Sequence, residues 1–299
     1  MKKLIGIAAL VLALACIVAV PASGALPPGV RMATVGNIRI AYRATGSGRP
    51  LLLINGSGAT LDTWDPALLA ALGDRRRIIV FDPRGMGAST DVAGDRLTVE
   101  EMADDAAGLL RALGIGHADV LGWSLGGFVA QELAIRHPTL VRRLVLASSS
   151  PGGRDAAHAT PQVIAIDNKS TVGVATPKEF LPILFPPAAL NAGQAWLARL
   201  VAQPGGCCEP YSQAAGRRQV AASGLWFEPT GGDEQRLTLI RAPTLIAAGA
   251  LDVDVPVADA RLLHRRIKAS QLLVYPDAGH AFLIQHATAF AAAVRRFLG

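Results

Sequence analysis

Six short apolar runs punctuate the chain, and each closes on glycine or a polar turn. They are "PLLLING" (Pro50–Gly56), "RIIVFDPRG" (Arg77–Gly85), "ADVLGWS" (Ala118–Ser124), "VRRLVLAS" (Val141–Ser148), "APTLIAAG" (Ala242–Gly249) and "SQLLVYPDAG" (Ser270–Gly279). Successive residues of a strand point to opposite faces. A strand without polar alternation must therefore be covered on both sides. Helical stretches fall between the runs. Asp65-Pro66 reads as an N-cap with a first-turn proline. Thr98 with Glu101 reads as a capping box, opening a helix to about Leu113 that stops at Gly114. Ser124–Arg136, Pro256–Lys268 and Ala281–Leu298 read as three more helices. Strand–helix alternation with buried runs requires a mostly parallel sheet with helices on both faces. Ahead of it, Met32–Ala44 reads as two short strands turning at Gly36-Asn37.

One segment breaks this rhythm. Residues 151–237 are rich in proline, with prolines at 161, 177, 182, 186, 187, 204, 210 and 229. The spacing predicts a cap of short helices inserted over one end of the sheet. The α/β body then comprises residues 30–150 and 238–299. The cap's large aromatics, Trp196, Trp226 and Phe227, are expected to gate substrate access.

Residues 1–25 read as an export signal. Met1-Lys2-Lys3 precedes an uncharged run, Leu4–Val20, and then "PASGALPPG". A basic start, an apolar stretch and small residues at a cleavage point make a secretory leader, cut after Ala22, Gly24 or Ala25. The alternatives are a lipoprotein signal, from "LALAC" ending at Cys16, and an uncleaved anchor. All three place the catalytic body outside the cytoplasm. Cys207 and Cys208 are adjacent, and a disulfide fits poorly across one peptide bond, so they read as thiols dispensable for folding. No cysteine spacing suits a metal. The net charge of +6 is spread over scattered arginines, with Arg75-Arg76-Arg77 the only run of three. That is a solvated surface rather than a nucleic-acid footprint. The expected partner is a small-molecule substrate, and the expected assembly is a monomer or weak dimer.

The chemistry sits in "GWSLG", Gly122–Gly126, where a buried strand ends and a helix begins at once. A serine between two glycines at such a junction is placed on a sharp turn above the sheet edge, at a helix N-terminus. A serine needs a base, and the base needs an orienting acid. Of six histidines, His280 follows the last strand run at the edge where ligands bind in parallel sheets. His137 follows the helix that Ser124 opens, His117 precedes a strand, His264 and His286 read as helix surface, and His158 falls in the cap. The acid is Asp252, three residues after Gly249. Asp254 is the alternative, and could instead cap the helix near Pro256. The oxyanion donors are expected to be the backbone N–H groups of Ser57, in "NGSG", and Leu125. Trp64, Trp123, Trp226 and Phe282 are candidate pocket walls.

"LLLINGSG", "FDPRGMGAS", "GWSLGG", "GALDVDVP" and "PDAGHAF", in that order, resemble the α/β-hydrolase superfamily from about Val30 to Gly299. "DPRGMGAS" (Asp82–Ser89) is similar to the branch of small esterases, perhydrolases, haloperoxidases, lactonases and iminopeptidases. The resemblance implies structural roles for Asp82 and Arg84 in that turn. It implies acyl transfer through Ser124, Asp252 and His280, with no cofactor or metal. A serine nucleophile excludes the aspartate-dependent dehalogenases and epoxide hydrolases. One departure is Asn55-Gly56, where many relatives carry His-Gly. The reading is an exported serine hydrolase of small or medium carboxylic esters. The alternatives are an iminopeptidase-type amide hydrolase, which would want cap carboxylates for a free amine, and a non-catalytic ligand-binding homologue. Cap candidates for that role are Asp155, Asp167, Glu179, Glu209, Glu228, Asp233 and Glu234.

Overall fold

The computed structural model describes residues 26–91, 94, 96–203, 211–229 and 235–299. The leader, with Cys16, and the pair Cys207-Cys208 lie outside the described residues. Among the described residues, no helix is long and apolar enough to cross a membrane.

Eight strands form one sheet: β1 (Arg31–Val35), β2 (Ile38–Thr45), β3 (Arg49–Ile54), β4 (Arg76–Phe81), β5 (Ala118–Trp123), β6 (Val141–Ala147), β7 (Thr244–Gly249) and β8 (Ser270–Tyr275). Their spatial order is β1-β2-β4-β3-β5-β6-β7-β8. The β1–β2 hairpin turns at Gly36-Asn37, and β2 meets β4 antiparallel; every other pairing is parallel. Four helices flank the sheet: α1 (Pro66–Leu72), α2 (Val99–Ala112) and α3 (Leu125–Arg136) before the cap, then α8 (Val257–Arg266) after it. The chain ends in α9 (Phe282–Gln285) and α10 (Ala287–Leu298).

The third strand shows why the apolar runs are continuous. Leu52 and Ile54 join the core formed with α2 and α3, while Leu51 and Leu53 join the core formed with α1 and α10. A polar residue at any of the four would be buried without a partner, at a cost of several kcal/mol, about 1–3 by mutational measures.

Between β6 and β7 lie the cap helices α4 (Pro161–Thr171), α5 (Pro177–Leu184), α6 (Leu190–Val201) and α7 (Gln213–Phe227). They are longer than the proline count suggests. Pro161 and Pro177 occupy the first turn of their helices, where the missing N–H is not needed; only Pro182 lies inside one. The cap is tied down by charge and hydrogen bonds. Arg199 of α6 makes a two-pronged pair with Asp65, the N-cap of α1. Gln219 of α7 accepts the Gly58 N–H at 2.8 Å.

Two local expectations change in the structure. The Thr98 hydroxyl accepts the Glu101 N–H, but the Glu101 carboxylate turns to Arg84, so half of the capping box forms. Arg84 reaches across to Asp105 and Glu101 on α2 and binds that helix to the turn. The expected single helix over residues 281–298 breaks at His286, whose backbone (φ −114°, ψ 38°) leaves the helical region. Its ring stacks on Tyr275 and sits 3.0 Å from an Asp277 oxygen.

Candidate active site

Because β3 and β5–β8 run parallel, their C-terminal ends gather the Ser57 loop, Ser124, Asp252 and His280 at one sheet edge. Ser124 is the residue between β5 and α3. Its backbone stands at φ +56°, ψ −125°, a conformation that costs a non-glycine residue about 1–3 kcal/mol. The neighbours explain the flanking glycines. A Cβ on Gly122 would lie 2.2 Å from the Gly126 carbonyl oxygen, and one on Gly126 would lie 2.1 Å from that of Ile54. The turn is held by the Ser124 N–H on the Ala147 carbonyl and the Gly127 N–H on the Ser124 carbonyl.

Asp252 has both carboxylate oxygens engaged. Oδ1 accepts the N–H groups of Asp254 and Val255, each at 2.9 Å. Oδ2 lies 2.9 Å from His280 Nδ1. The turn therefore aims the carboxylate at the imidazole and fixes the ring's orientation. The His280 backbone is fixed too: its carbonyl accepts Trp123 Nε1 at 3.2 Å and the Ser148 hydroxyl at 3.0 Å. The imidazole is buried. Burial alone would lower its pKa, but Asp252 and Asp254 outweigh that and push it up to about 9.

The loop that carries Ser57 is ordered by Asn55. Its side chain donates to the Thr60 carbonyl and the Thr63 hydroxyl, and its carbonyl oxygen accepts the Gly56 N–H. The Gly58 N–H goes to Gln219. The Ser57 and Leu125 N–H groups have no acceptor among the described residues. Both residues line the cavity that Ser124 opens into. Asn55 thus orders this loop without a histidine.

Two chambers meet at Ser124, Ser57, Asp167 and Asp254. One, of about 260 Å³, is walled by Phe128, His158, Val220 and Phe227. The other, of about 190 Å³, contains His280 and is walled by Trp123, Phe180, Trp196 and Leu200. Trp123 thus lines a chamber. Trp64, Trp226 and Phe282 do not. Trp64 is buried behind Trp123, with ring centroids 6.2 Å apart. Trp226 stacks on Phe128 from the far side and donates to the Ser150 carbonyl. Phe282 is sealed between Tyr275 and Phe290. Of the three cap aromatics, Trp196 and Phe227 face the chambers.

Asp254 does not cap α8, whose N-cap, Pro256, carries no side-chain bond. Instead its Oδ2 lies 3.5 Å from His280 Nε2, opposite the nitrogen that Asp252 holds. Asp167, from α4 of the cap, lines both chambers. Sequence reading grouped it with six other cap carboxylates, because nothing in the local pattern of α4 marks which residue faces Ser124. Burial raises the pKa of both groups, that of Asp254 to about 7. Three of the other histidines have partners elsewhere, His137 with Asp104, His264 with Ser270 and His286 with Asp277, while His158 lines the first chamber against Phe227. No group of three or more His, Cys, Asp or Glu side chains among the described residues is arranged to hold a metal ion.

Comparison with known proteins places these features in a wider setting. Residues 49–177 match the family described as "alpha/beta hydrolase fold", and residues 213–299 match "TAP-like protein". The chain is 30% identical over 265 residues to 2-hydroxymuconate semialdehyde hydrolase of Pseudomonas sp. strain CF600, covering 87% of this chain and 90% of that one. It is 31% identical over 268 residues to pimeloyl-[acyl-carrier protein] methyl ester esterase of Aeromonas hydrophila, covering 85% and 97%. Among solved structures, an alpha/beta hydrolase fold protein from Chitinophaga pinensis superposes with a TM-score of 0.80 at 29% identity, covering 92% and 98%.

Proposed function

This chain belongs to the α/β-hydrolase superfamily, and from that membership and the site's geometry we propose that it is a serine hydrolase of small carboxylic esters. The carrying observation is that a strained Ser124 and a His280 oriented by Asp252 open on one chamber. His280 removes the Ser124 proton as the hydroxyl attacks the ester carbonyl. The tetrahedral oxyanion is received by the Ser57 and Leu125 N–H groups. His280 then gives its proton to the leaving alcohol, and a water activated by the same ring releases the acid. The methyl ester esterase among the relatives supports the ester assignment. Two chambers of modest volume support small acyl and alcohol groups. Export, from the pattern over residues 1–25, belongs to the same proposal.

The test is labelling by a fluorophosphonate probe. Wild type is expected to label and the Ser124→Ala variant to remain unlabelled. A folded wild type that does not label would instead favour a binding protein on the same fold. Asp252→Asn is expected to lower kcat on p-nitrophenyl acetate by on the order of 10⁴, because the amide favours the wrong imidazole tautomer. Near-wild-type kcat in that variant would remove Asp252 from its assigned role.

A further inference from the structure

The loop that carries Ser57 has two supports, and they come from different parts of the chain. Gly56, Ser57 and Gly58 offer three successive N–H groups. The Gly56 N–H is taken by Asn55 Oδ1 at 3.0 Å, within the α/β body. The Gly58 N–H is taken by Gln219 Oε1 at 2.8 Å, from cap helix α7. Ser57, between them, has no acceptor for its N–H among the described residues and lines both chambers beside Ser124. A Cβ on Gly56 would lie 3.2 Å from the Ser124 Cβ, so the loop passes directly against the serine. Two glycines give this segment wide backbone freedom. Each peptide is rigid but turns about the torsions on either side of it. The direction of the Ser57 N–H is therefore set by what holds its two neighbours.

The cap end of this clamp is a close contact. Gly58 stands at φ +67°, and a Cβ there would lie 2.7 Å from the Thr171 Cα at the end of α4. Helix α7 closes on the same point: a Cβ on Gly216 would lie 2.5 Å from the Thr171 carbonyl oxygen, which also accepts the Tyr211 hydroxyl at 2.9 Å. Gln219 is 0% exposed and lines neither chamber. Its amide must turn its oxygen to the Gly58 N–H, and that leaves Nε2 buried without a partner. A buried NH2 group with no acceptor costs stability. An apolar side chain of the same length would remove that cost and create a similar one at the Gly58 N–H. What the amide alone supplies is the acceptor that holds the loop.

We propose that Gln219 is a positioning residue through which the cap completes the oxyanion site: it holds the Gly58 peptide so that the Ser57 N–H points at the substrate oxygen. The inference rests on the serine-hydrolase reading and adds to it a residue that touches neither the substrate nor Ser124. When Ser124 Oγ bonds to the ester carbon, the carbonyl π pair moves onto the oxygen. The Ser57 and Leu125 N–H groups receive that charge. The clamp matters only once the charge develops, so its loss lowers kcat and leaves KM little changed.

The experiment replaces Gln219 by Met and compares p-nitrophenyl acetate with its thiono analogue, in which sulfur takes the place of the carbonyl oxygen. Sulfur is larger and a weaker acceptor, so donors placed for oxygen serve it poorly. Gln219→Met should lower kcat on the oxygen ester by about 10–100-fold, the scale of misplacing one donor. The thiono ester should lose far less, so the oxygen-to-sulfur ratio falls. Damage to packing around Ser124 or His280 would slow both substrates alike, and an unchanged ratio overturns the proposal. Gln219→Glu keeps an acceptor for the Gly58 N–H, and burial holds its carboxyl neutral. It should recover most of kcat, and a loss equal to that of Gln219→Met also overturns the proposal. If Gln219→Met does not fold, Gln219→Asn, whose oxygen falls short by one methylene, should show the same fall in ratio. Fluorophosphonate labelling of Ser124 accompanies each measurement. A labelled Gln219→Met variant with wild-type kcat removes Gln219 from this role and leaves the hydrolase standing. A folded wild type that neither labels nor turns over the ester brings down the hydrolase reading, and the clamp with it.

Discussion

Ser124→Ala and His280→Ala should each lower kcat on p-nitrophenyl acetate by on the order of 10⁴ or more, and the double variant should be little worse than either. The physical reason is that the two groups act on one proton. Without His280, the Ser124 hydroxyl keeps its proton through the attack; without Ser124, the imidazole has no nucleophile to serve. What remains in every variant is substrate binding and the pair of N–H groups at Ser57 and Leu125. Those donors should keep hydrolysis above the rate in water. Steady-state kinetics of the three variants, with circular dichroism to establish folding, decides the matter. Losses that multiply, giving about 10⁸ in the double variant, would mean that Ser124 and His280 work independently. The shared-proton account would then fail.

The parts of this arrangement that could be read from sequence are those fixed by the neighbouring few residues. The alternation of Leu51–Ile54 between two cores needs only a strand with both faces covered. Gly122 and Gly126 are dictated by backbone atoms within the turn or on the adjoining strand end, so the turn announces itself as a pattern. Asp252 lies at a fixed distance past its strand, and its Oδ1 is satisfied by the next two N–H groups but one. What escaped the sequence depends on contacts between distant segments. Asp254 is drawn to Nε2 only because the loop from β8 arrives across it. Asp167 enters the chambers through the packing of α4, and no periodicity in that helix distinguishes it. The break at His286 follows from a ring stack with Tyr275 and a contact to Asp277. Composition misled in the cap, where prolines open helices as readily as they end them.

Trp226→Ala should cost roughly 3–5 kcal/mol of stability, the range for large-to-small changes at buried aromatics, while leaving ester selectivity as it is. From sequence this residue reads as a gate, but its surroundings assign it to the fold. It is 4% exposed, and its ring lies nearly parallel to Phe128 with centroids 5.3 Å apart. Its Nε1 donates to the Ser150 carbonyl at 3.2 Å, and its own carbonyl accepts the Gly153 N–H at 2.9 Å. The loop after β6 wraps it so closely that a Cβ on Gly152 would lie 2.5 Å from Nε1. Phe128 belongs to α3, whose N-cap is Ser124, so Trp226 fastens the last cap helix to the helix that Ser124 opens. Truncation removes the stack and one of the two donors to the Ser150 carbonyl, leaving it only Gln131 Nε2, and opens a cavity at a buried site. A loss of that size lowers the melting temperature by roughly 5–8 °C in a chain of this length. Trp196→Ala and Phe227→Ala supply the contrast, because both side chains face the chambers and their truncation should change the ratio of kcat/KM between short and long acyl esters. A Trp226→Ala variant that melts within a degree or two of wild type but prefers a different ester would return Trp226 to the role of gate.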